Sequence, residues 1–314
     1  MYNIIREKHK KRRVSMNKIK TEIIKINENN LDEGLIKKGA KIIKQGGLVA
    51  FPTETVYGLG GNGLDERAVG KIFKAKGRPQ DNPLILHVAS IDQVLPLVES
   101  IPNKVEKLIE KFWPGPLTIL FKRSDIVPDI ITGGLDTVAI RMPNNPIALK
   151  LIELSQVPLA APSANTSGKP SPTSASHVME DLFGRVDLIL DGGNTGIGVE
   201  STVLDMSGSV PMILRPGGIT LEDLRESLPH IEEDLSITSD NEDIVPKSPG
   251  QKYRHYAPRA EMIVFNGEVE AIVSTINNYT LKYLNSGKTV GIMATDETIN
   301  RYKKGLTISV GTRE

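Results

Sequence analysis

Residues 32–52, DEGLIKKGAKIIKQGGLVAFP, decide the class of fold. Apolar residues recur at helical spacing behind Asp32, whose side chain is of the type that caps a helix N-terminus. The two glycines at 46–47 end this predicted helix, as glycine commonly does. The apolar run at 48–51 then predicts a short buried strand, which stops at Pro52. A buried strand that directly follows an amphipathic helix is typical of an α/β protein.

The same alternation of helix and strand patterns continues outward along the chain. Helices and strands interleave without a strict strand–helix–strand rhythm, which favours an α/β sheet of mixed strand direction. Further strands are predicted at 84–89, 117–121, 136–142, 158–161, 186–190 and 201–206, and further helices at 65–76, 103–112, 145–154, 173–183 and 220–228.

Composition narrows the class of protein. The 314 residues contain no cysteine, which excludes disulfide scaffolds, cysteine-ligated zinc, iron–sulfur clusters and thiol nucleophiles. The 39 lysines and arginines nearly balance 38 acidic residues, so a basic coat for nucleic acid does not cover the whole protein. No apolar run approaches the roughly 20 residues of a membrane helix, so we expect no membrane partner.

The beginning of the chain differs from its body in charge. Residues 6–13 carry six basic side chains and one acidic one, a density at which like charges do not pack. We therefore predict a basic, disordered extension over residues 1–20, with an RNA-binding arm or an upstream start codon before Met16 as alternatives. No apolar segment of a secretory signal follows the basic run, so a cytoplasmic location is expected.

A second change of composition predicts a linker. Residues 231–243 contain six acidic side chains and no basic one, and proline, serine and glycine follow them. This composition is typical of a solvated linker, which we place at 231–259. It separates a main domain at 21–230 from a C-terminal domain at 260–314.

The C-terminal domain is predicted to be a small, truncated α/β domain. Its patterns read strand, helix and strand at 260–265, 268–284 and 288–293, and the chain stops soon afterwards. Two strands and one helix form a thin core.

Two glycine-containing stretches match nucleotide-binding motifs only in part. Residues 58–63, GLGGNG, fit the spacing G-x-G-x-x-G, but six residues separate them from the preceding strand. A dinucleotide fingerprint follows its strand directly, so we interpret this stretch as a structural turn. Residues 287–289, GKT, end like a P-loop, but Lys282 stands where the leading glycine belongs, and we reject that interpretation.

Cationic side chains beside rigid turns give stronger signals. Lys76 ends the buried stripe of a predicted helix, and Arg78 follows the glycine that stops it. A helix dipole alone favours cations there, but it does not call for the rigid turn at 82–83. Arg141 shares one strand face with a threonine and an alanine. Such an arginine indicates either an anion site or a structural ion pair, and the strand leaves both open.

Loops rich in hydroxyl groups and glycine complete the candidate site. Residues 161–170, APSANTSGKP, place hydroxyls, an amide and backbone N–H groups after a strand, although alone they could form a turn before a helix. Residues 191–202 form a second such loop, and Arg215 stands beside a further turn. Without thiols or histidine–carboxylate clusters, these features predict a site that binds and polarises phosphates without a covalent protein intermediate.

The ordered series of motifs resembles one family, the threonylcarbamoyl-AMP synthases of the YrdC-like superfamily in their two-domain form. The resemblance implies a YrdC-like twisted mixed sheet with a concave cationic cleft, and a catalytic domain at 21–230. The basic extension is not part of the family pattern, and the second domain usually continues beyond residue 314. The matching stretches are 51–59 (FPTETVYGL), 76–79 (KGRP), 82–84 (NPL), 113–118 (WPGPLT), 139–143 (AIRMP), 162–165 (PSAN), 200–203 (ESTV), 214–217 (LRPG) and 248–258 (SPGQKYRHYAP).

The resemblance implies an ATP-dependent reaction of L-threonine with bicarbonate or CO2. The N-carboxy-threonine formed attacks the α-phosphate of ATP and releases pyrophosphate. The product, threonylcarbamoyl-AMP, serves a downstream tRNA threonylcarbamoyl transferase. ATP is thus a substrate, Mg²⁺ is expected with it, no protein metal ligands are assigned, and a direct tRNA contact is left open. The alternative is an RNA-binding or assembly module with impaired catalysis.

The resemblance also assigns the residues of the site. Arg141 is expected to pair with the carboxylate of threonine. The catalytic set is Lys76, Arg78, Ser163 and Asn165; the ATP-binding set is Arg78, Asn82, Thr137, Ser163, Ser171, Arg215 and Tyr256; the threonine-binding set is Thr55, His87, Arg141 and Ser201.

Overall fold

The computed structural model describes residues 19–234 and 260–312, and the chain divides into two compact units between Ala257 and Pro258. The predicted basic extension before residue 19 and most of the predicted linker therefore lie outside the described residues. Strand pairing in the first unit reaches Glu233, the third residue of the segment predicted as linker. The predicted domain boundaries stay predictions.

The described helices and strands follow the predicted alternation. No helix in the described ranges is long and apolar enough to cross a membrane. The helices are α1 (Glu33–Lys44), α2 (Glu66–Lys76), α3 (Asn103–Phe112), α4 (Asp129–Thr132), α5 (Pro146–Ser155), α6 (Ala175–Leu182), α7 (Leu221–Arg225) and α8 (Val269–Asn285). The strands are β1 (Glu22–Lys25), β2 (Val49–Phe51), β3 (Gly58–Asn62), β4 (Ile85–His87), β5 (Leu117–Lys122), β6 (Thr137–Arg141), β7 (Leu159–Ala160), β8 (Leu188–Asp191), β9 (Thr202–Asp205), β10 (Met212–Arg215), β11 (Glu232–Glu233), β12 (Gly291–Ala294) and β13 (Leu306–Ser309).

The first unit is organised by one eleven-stranded sheet of mixed direction. Its strand order is β1-β8-β2-β3-β7-β4-β6-β5-β9-β10-β11. Strands β4 and β6 are parallel, with His87 beside Arg141, whereas β5 and β6 are antiparallel. The predicted mixed α/β sheet is therefore confirmed. The register of β4 and β6 also places two predicted site residues side by side at the ends of their strands.

Helices cover both faces of this sheet. Successive residues of a strand point to opposite faces. In β2, Val49 and Phe51 pack in one apolar cluster with residues of α1 and α5, while Ala50 packs in another with residues of α2 and α3. The side chain of Asp32 caps α1 by accepting from the N–H groups of Gly34 and Leu35, as its position in the sequence predicts.

The glycine-rich stretch at 58–63 is a strand and not the predicted turn. It contains β3, which pairs antiparallel with β2. A β-carbon on Gly60 would lie 2.7 Å from Cε1 of Phe51, so glycine lets the large ring of Phe51 lie against the neighbouring strand. Strand propensity does not indicate this, because glycine is depleted in strands and occurs there where another group approaches closely.

The second unit contains α8 and a two-stranded parallel sheet of β12 and β13. The predicted helix and the second predicted strand are present, but the strand expected at 260–265 is wrong. Within the described ranges this segment pairs with no strand, and the side chains of Met262 and Val264 are 64% and 76% exposed. An apolar run alone therefore did not suffice to form a strand there.

Candidate active site

A cleft in the first unit collects most of the predicted site residues. It is formed by the segment between β2 and β3, the end of α2, the ends of β4 and β6, the loop after β7, and the residues before β9. Its lining comprises Thr53, Thr55, Val56, Gly58, Lys76, Arg78, Leu84, Ile85, His87, Arg141, Ala161, Pro162, Ser163, Asn165, Ser167, Gly168, Lys169, Ser171, Glu200, Ser201 and Arg215. Five of these carry a lysine or arginine charge, whereas Glu200 alone carries a carboxylate among the described lining residues.

Lys76 is the last residue of α2 and is buried in the wall of the cleft. Its Nζ donates to the carbonyl oxygen of Ser163, to that of Asn165 at 2.8 Å, and to Oδ1 of Asn165 at 3.3 Å. An ammonium group has three donors, so these three contacts use its capacity. Burial, and secondly the charge of Arg78, hold the pKa of Lys76 well below its usual value.

Ser163 and Asn165 form one hydrogen-bonded cluster with Lys76. The Ser163 hydroxyl donates to Oδ1 of Asn165 at 2.6 Å, and Nδ2 of Asn165 donates to the carbonyl oxygen of Lys169 at 2.7 Å. The loop after β7 is thus fixed from inside by its own amide and from outside by a helix-borne cation. Three of the four residues predicted as catalytic therefore lie in direct contact.

Arg78, the fourth, is separated from Lys76 by the turn that ends α2. Gly77 has φ +64°, its N–H donates to the carbonyl of Lys74, and the N–H of Arg78 donates to that of Phe73 at 3.0 Å. This pair of bonds is a Schellman motif. Its residue with positive φ is usually glycine, because residues with a β-carbon rarely adopt the left-handed backbone conformation. Nη2 of Arg78 donates to the carbonyl oxygen of Pro83 at 2.9 Å, so this arginine holds the turn at 82–83.

The four residues predicted to bind threonine all line the cleft. Arg141 is 4% exposed, and its Nη2 lies 2.7 Å from Oε1 of Glu54, an ion pair whose angles fall outside hydrogen-bond geometry. The structural ion pair is therefore present, and because Arg141 also lines the cleft, the anion site stays a prediction. Burial, and secondly the charge of Arg141, lower the pKa of His87 to about 3.

Ser201 connects the threonine set to Arg215. Its hydroxyl lies 2.7 Å from that of Thr118, and Nη2 of Arg215 donates to the Ser201 hydroxyl at 3.1 Å and to its carbonyl oxygen at 2.9 Å. The two residues are 14 positions apart in the chain and meet because β9 and β10 are antiparallel neighbours. Arg215 thus lies at the boundary between the two predicted half-sites.

Two described residues of the predicted ATP set, Asn82 and Thr137, are not among the residues that line the cleft. Asn82 is 1% exposed, and its two amide atoms have no hydrogen-bond partner in the described structure. Thr137 begins β6 while Arg141 ends it, a separation of about 13 Å at roughly 3.3 Å per residue. Tyr256 lies outside the described residues. Ser171, by contrast, lines the cleft and donates its hydroxyl to Oε1 of Glu200.

Two acidic residues of the site were missed by the sequence analysis. Glu54 and Glu200 both stand inside motifs quoted for the family resemblance, but no role was assigned to either. The signal was available, because a carboxylate in a motif otherwise made of cations and hydroxyls indicates a partner for one of those cations. What the sequence could not supply was the identity of that partner.

Comparison with known proteins identifies the family of this chain. The family model Sua5_yciO_yrdC, described as telomere recombination, matches residues 41–217, and Sua5_C, described as the threonylcarbamoyl-AMP synthase C-terminal domain, matches residues 219–314. The curated threonylcarbamoyl-AMP synthase of Pyrococcus abyssi is 53% identical over 273 residues, which cover 87% of this chain and 80% of that protein. The one from Bacillus subtilis is 47% identical over 287 residues, covering 91% of this chain and 81% of that protein.

The fold of this chain is also similar to that of a solved structure. The crystal structure of P. abyssi Sua5 complexed with L-threonine has a TM-score of 0.87 and 50% sequence identity, and the match covers 92% of this chain and 84% of that chain. The fold and the cationic cleft define the class of Sua5/YrdC-type proteins. Within that class, the chain belongs to the threonylcarbamoyl-AMP synthase family, which is named for an enzymatic activity. The predicted family, fold class and enzymatic function are therefore confirmed, and the RNA-binding alternative is not favoured.

Proposed function

We propose that the cleft lined by Lys76, Arg78, Arg141 and Arg215 forms threonylcarbamoyl-AMP from ATP, L-threonine and bicarbonate or CO2. The observation that carries this proposal is that most residues of the predicted threonine and ATP sets, which are scattered in the sequence, line one cleft. The P. abyssi relative with which the chain shares 50% identity has been solved with L-threonine, which supports the same amino acid here.

The threonine half of the cleft is suited to an amino acid with a hydroxyl group. Arg141 supplies a guanidinium that can bind the substrate carboxylate in a bidentate manner. Thr55 and Ser201 supply hydroxyl groups, and His87 is buried with its Nδ1 unpartnered in the described structure. Because its pKa is about 3, His87 is neutral near pH 7 and adds a hydrogen-bonding group without adding charge.

The ATP half is suited to phosphates. Two anions must approach each other, because the carbamate oxygen of N-carboxy-threonine attacks the α-phosphorus of ATP while the α–β phosphoanhydride bond breaks. Fixed cations and hydrogen-bond donors lower the cost of this approach without forming a covalent bond to the substrate. We assign Arg78, Arg215, Ser163 and Ser171 to these contacts. Lys76 acts mainly on the loop at 163–165, since its donors already point into that loop.

Mg²⁺ enters this proposal together with ATP. Among the described residues, no group of three or more histidine, aspartate and glutamate side chains could hold a metal ion. Mg²⁺ is commonly bound by substrate phosphates and water with only one or two protein carboxylates. The residues of the cleft fit such an ion, because Glu200 is the carboxylate available beside the predicted phosphate contacts. We further propose that the product is consumed by a tRNA threonylcarbamoyl transferase.

The test is pyrophosphate release from ATP by the purified chain of 314 residues. Release should require both L-threonine and bicarbonate, and omission of either should reduce it to the background rate. Pyrophosphate release that does not depend on threonine, or no release at all, would contradict the proposed function. Lys76→Met should reduce the rate by at least about 100-fold, because misplaced reacting groups cost rates of this order.

Lys71→Met is the matched control for that variant. Lys71 lies on the same helix and its Nζ donates to one backbone carbonyl, that of Gly46 at 2.6 Å, outside the cleft lining. We expect near-normal pyrophosphate release from this control. Equal losses in both variants would mean that Lys76 acts through general stability and not through the loop at 163–165.

A further inference from the structure

Glu54 is a partly buried acidic residue next to the threonine half of the cleft, and the proposed reaction does not use it. Its side chain is 12% exposed, and neither carboxylate oxygen has a hydrogen-bond partner in the described structure. Within the described residues its carboxylate forms an ion pair with Arg141, whose side chain is 5% exposed. A buried carboxylate with so few contacts is costly unless it serves the cation beside it.

The backbone around Glu54 joins a second part of the threonine half. The carbonyl oxygen of Glu54 accepts from the N–H of Ile197 at 2.8 Å, and that of Thr55 accepts from the N–H of Gly198 at 3.0 Å. The loop held in this way leads directly into Ser201. Glu54 therefore lies where three segments meet, and these segments carry Thr55, Arg141 and Ser201.

Arg141 needs such a partner to keep its orientation. Its Nε donates to the carbonyl oxygen of Gly115 at 3.2 Å, which fixes one end of the guanidinium group. The Nη2 end is in contact with Glu54. A planar fork held at Nε and Nη2 presents its remaining donors in one direction, which is what bidentate recognition of a carboxylate requires.

One part of the ATP half, the cluster of Lys76, Ser163 and Asn165, has its own supports. Its hydrogen bonds join the end of α2 to the loop after β7 and include no atom of Glu54 in the described ranges. A change of the Glu54 side chain should therefore alter the binding of threonine and not that of ATP.

We propose that Glu54 is the positioning residue of the threonine half of the cleft, where its carboxylate holds the Arg141 guanidinium in the orientation that binds the amino-acid carboxylate. This inference rests on the proposed function. It extends that function by naming a residue that sets the affinity for the amino acid without touching it.

The experiment compares steady-state pyrophosphate release by wild type and Glu54→Gln, which keeps the side-chain size and removes the charge. We expect the KM for L-threonine to rise about tenfold while the KM for ATP stays within about twofold, since directly coupled residues interact far more strongly than distant ones. Glu28→Gln is the matched control. Glu28 accepts from Nδ2 of Asn145 at 2.6 Å and does not line the cleft, so both KM values should stay unchanged.

A second comparison tests whether Glu54 acts through Arg141. In an Arg141→Lys background, adding Glu54→Gln should change the KM for threonine by less than about twofold, because the fork that Glu54 holds is already absent. Should Glu54→Gln fail to fold, Glu54→Asp keeps the charge, shortens the reach by one methylene, and should raise the KM for threonine about threefold.

Three results would overturn the inference: a KM for threonine in the Glu54 variants equal to that of wild type, equal rises in both KM values, or additive effects with Arg141→Lys. These outcomes differ from a failure of the proposed function, in which the wild-type chain itself releases no pyrophosphate in response to threonine.

Discussion

At the scale of single residues, the cleft holds its cations in two different ways. Lys76 is surrounded by neutral carbonyl oxygens of the loop it holds, whereas Arg141 is matched by the carboxylate of Glu54. The first arrangement fixes backbone at the cost of a desolvated ammonium group, and burial accordingly lowers the pKa of Lys76. The second keeps a charged fork available for an anion. These two cations therefore have different tasks although both line one cleft.

His87 gives a prediction about pH. Its folded pKa of about 3 lies below the value of 6.5 in the unfolded chain, so between these values the unfolded chain binds a proton that the folded chain excludes. The free energy of unfolding should therefore fall as the pH drops below about 6.5, by at most about 1.4 kcal/mol per pH unit from this group. In His87→Gln this part of the slope should be absent.

Urea unfolding of wild type and His87→Gln at pH values between about 4.5 and 7 measures that difference. His177→Gln, which alters an exposed histidine, is the control and should keep the wild-type slope. Parallel loss of stability in wild type and His87→Gln on acidification would contradict a neutral, buried His87.

At the scale of elements, β3 depends on glycine for its contact with β2. A β-carbon at Gly60 would lie 2.7 Å from the ring of Phe51, which is fully buried and has little room to move. Gly60→Ala should therefore lower the free energy of unfolding by about 1–3 kcal/mol, the usual cost of overpacking a core. Thermal or urea unfolding measures this change.

Gly70→Ala is the matched control for that substitution. Gly70 lies inside α2, and a β-carbon there meets nothing within 4 Å. Because alanine is the better helix former, this variant should be more stable than wild type by about 0.5–1 kcal/mol. Stability changes of the same sign in both variants would refute the close approach of Phe51 to β3.

The same elements show what could be predicted from the sequence. Helix α1, strand β2 and the site positions of Lys76 and Arg141 follow from apolar spacing and strand alternation, which are local patterns. Strand β3 could not be predicted in this way, because Gly60 is needed there for the close contact with Phe51 of the neighbouring strand. The partners of Lys76 could not be predicted either, since they lie 87 and 89 residues further along the chain. The expected strand at 260–265 was wrong for the opposite reason. Its residues have the local apolar pattern of a strand, but within the described ranges no other strand pairs with them.

At the scale of the whole molecule, the two units should respond differently to the amino acid. All described residues that line the cleft belong to the first unit. A ligand stabilises the state that binds it, by about 2.7 kcal/mol at a concentration 100-fold above Kd. L-Threonine should therefore slow hydrogen exchange of amides in β4, β6 and the residues before β9, and leave α8 unchanged.

Hydrogen-exchange mass spectrometry with and without L-threonine measures this pattern. L-Alanine, which lacks the hydroxyl group, is the matched ligand control and should protect the same strands less. Equal protection of α8 and β6 by threonine would contradict this expectation.

The Schellman turn at Gly77 has a consequence for how this segment tolerates changes of length. Because the chain changes direction at Gly77, Lys76 donates to the loop at 163–165, whereas Arg78 donates to the turn at 82–83. Inserting or deleting one residue between Lys76 and Arg78 would turn one of these two side chains away from its hydrogen-bond partners. Substitutions near the end of α2, at positions other than these three, should thus be accepted far more readily than insertions, and alignment gaps among relatives should fall outside the tripeptide Lys76–Gly77–Arg78.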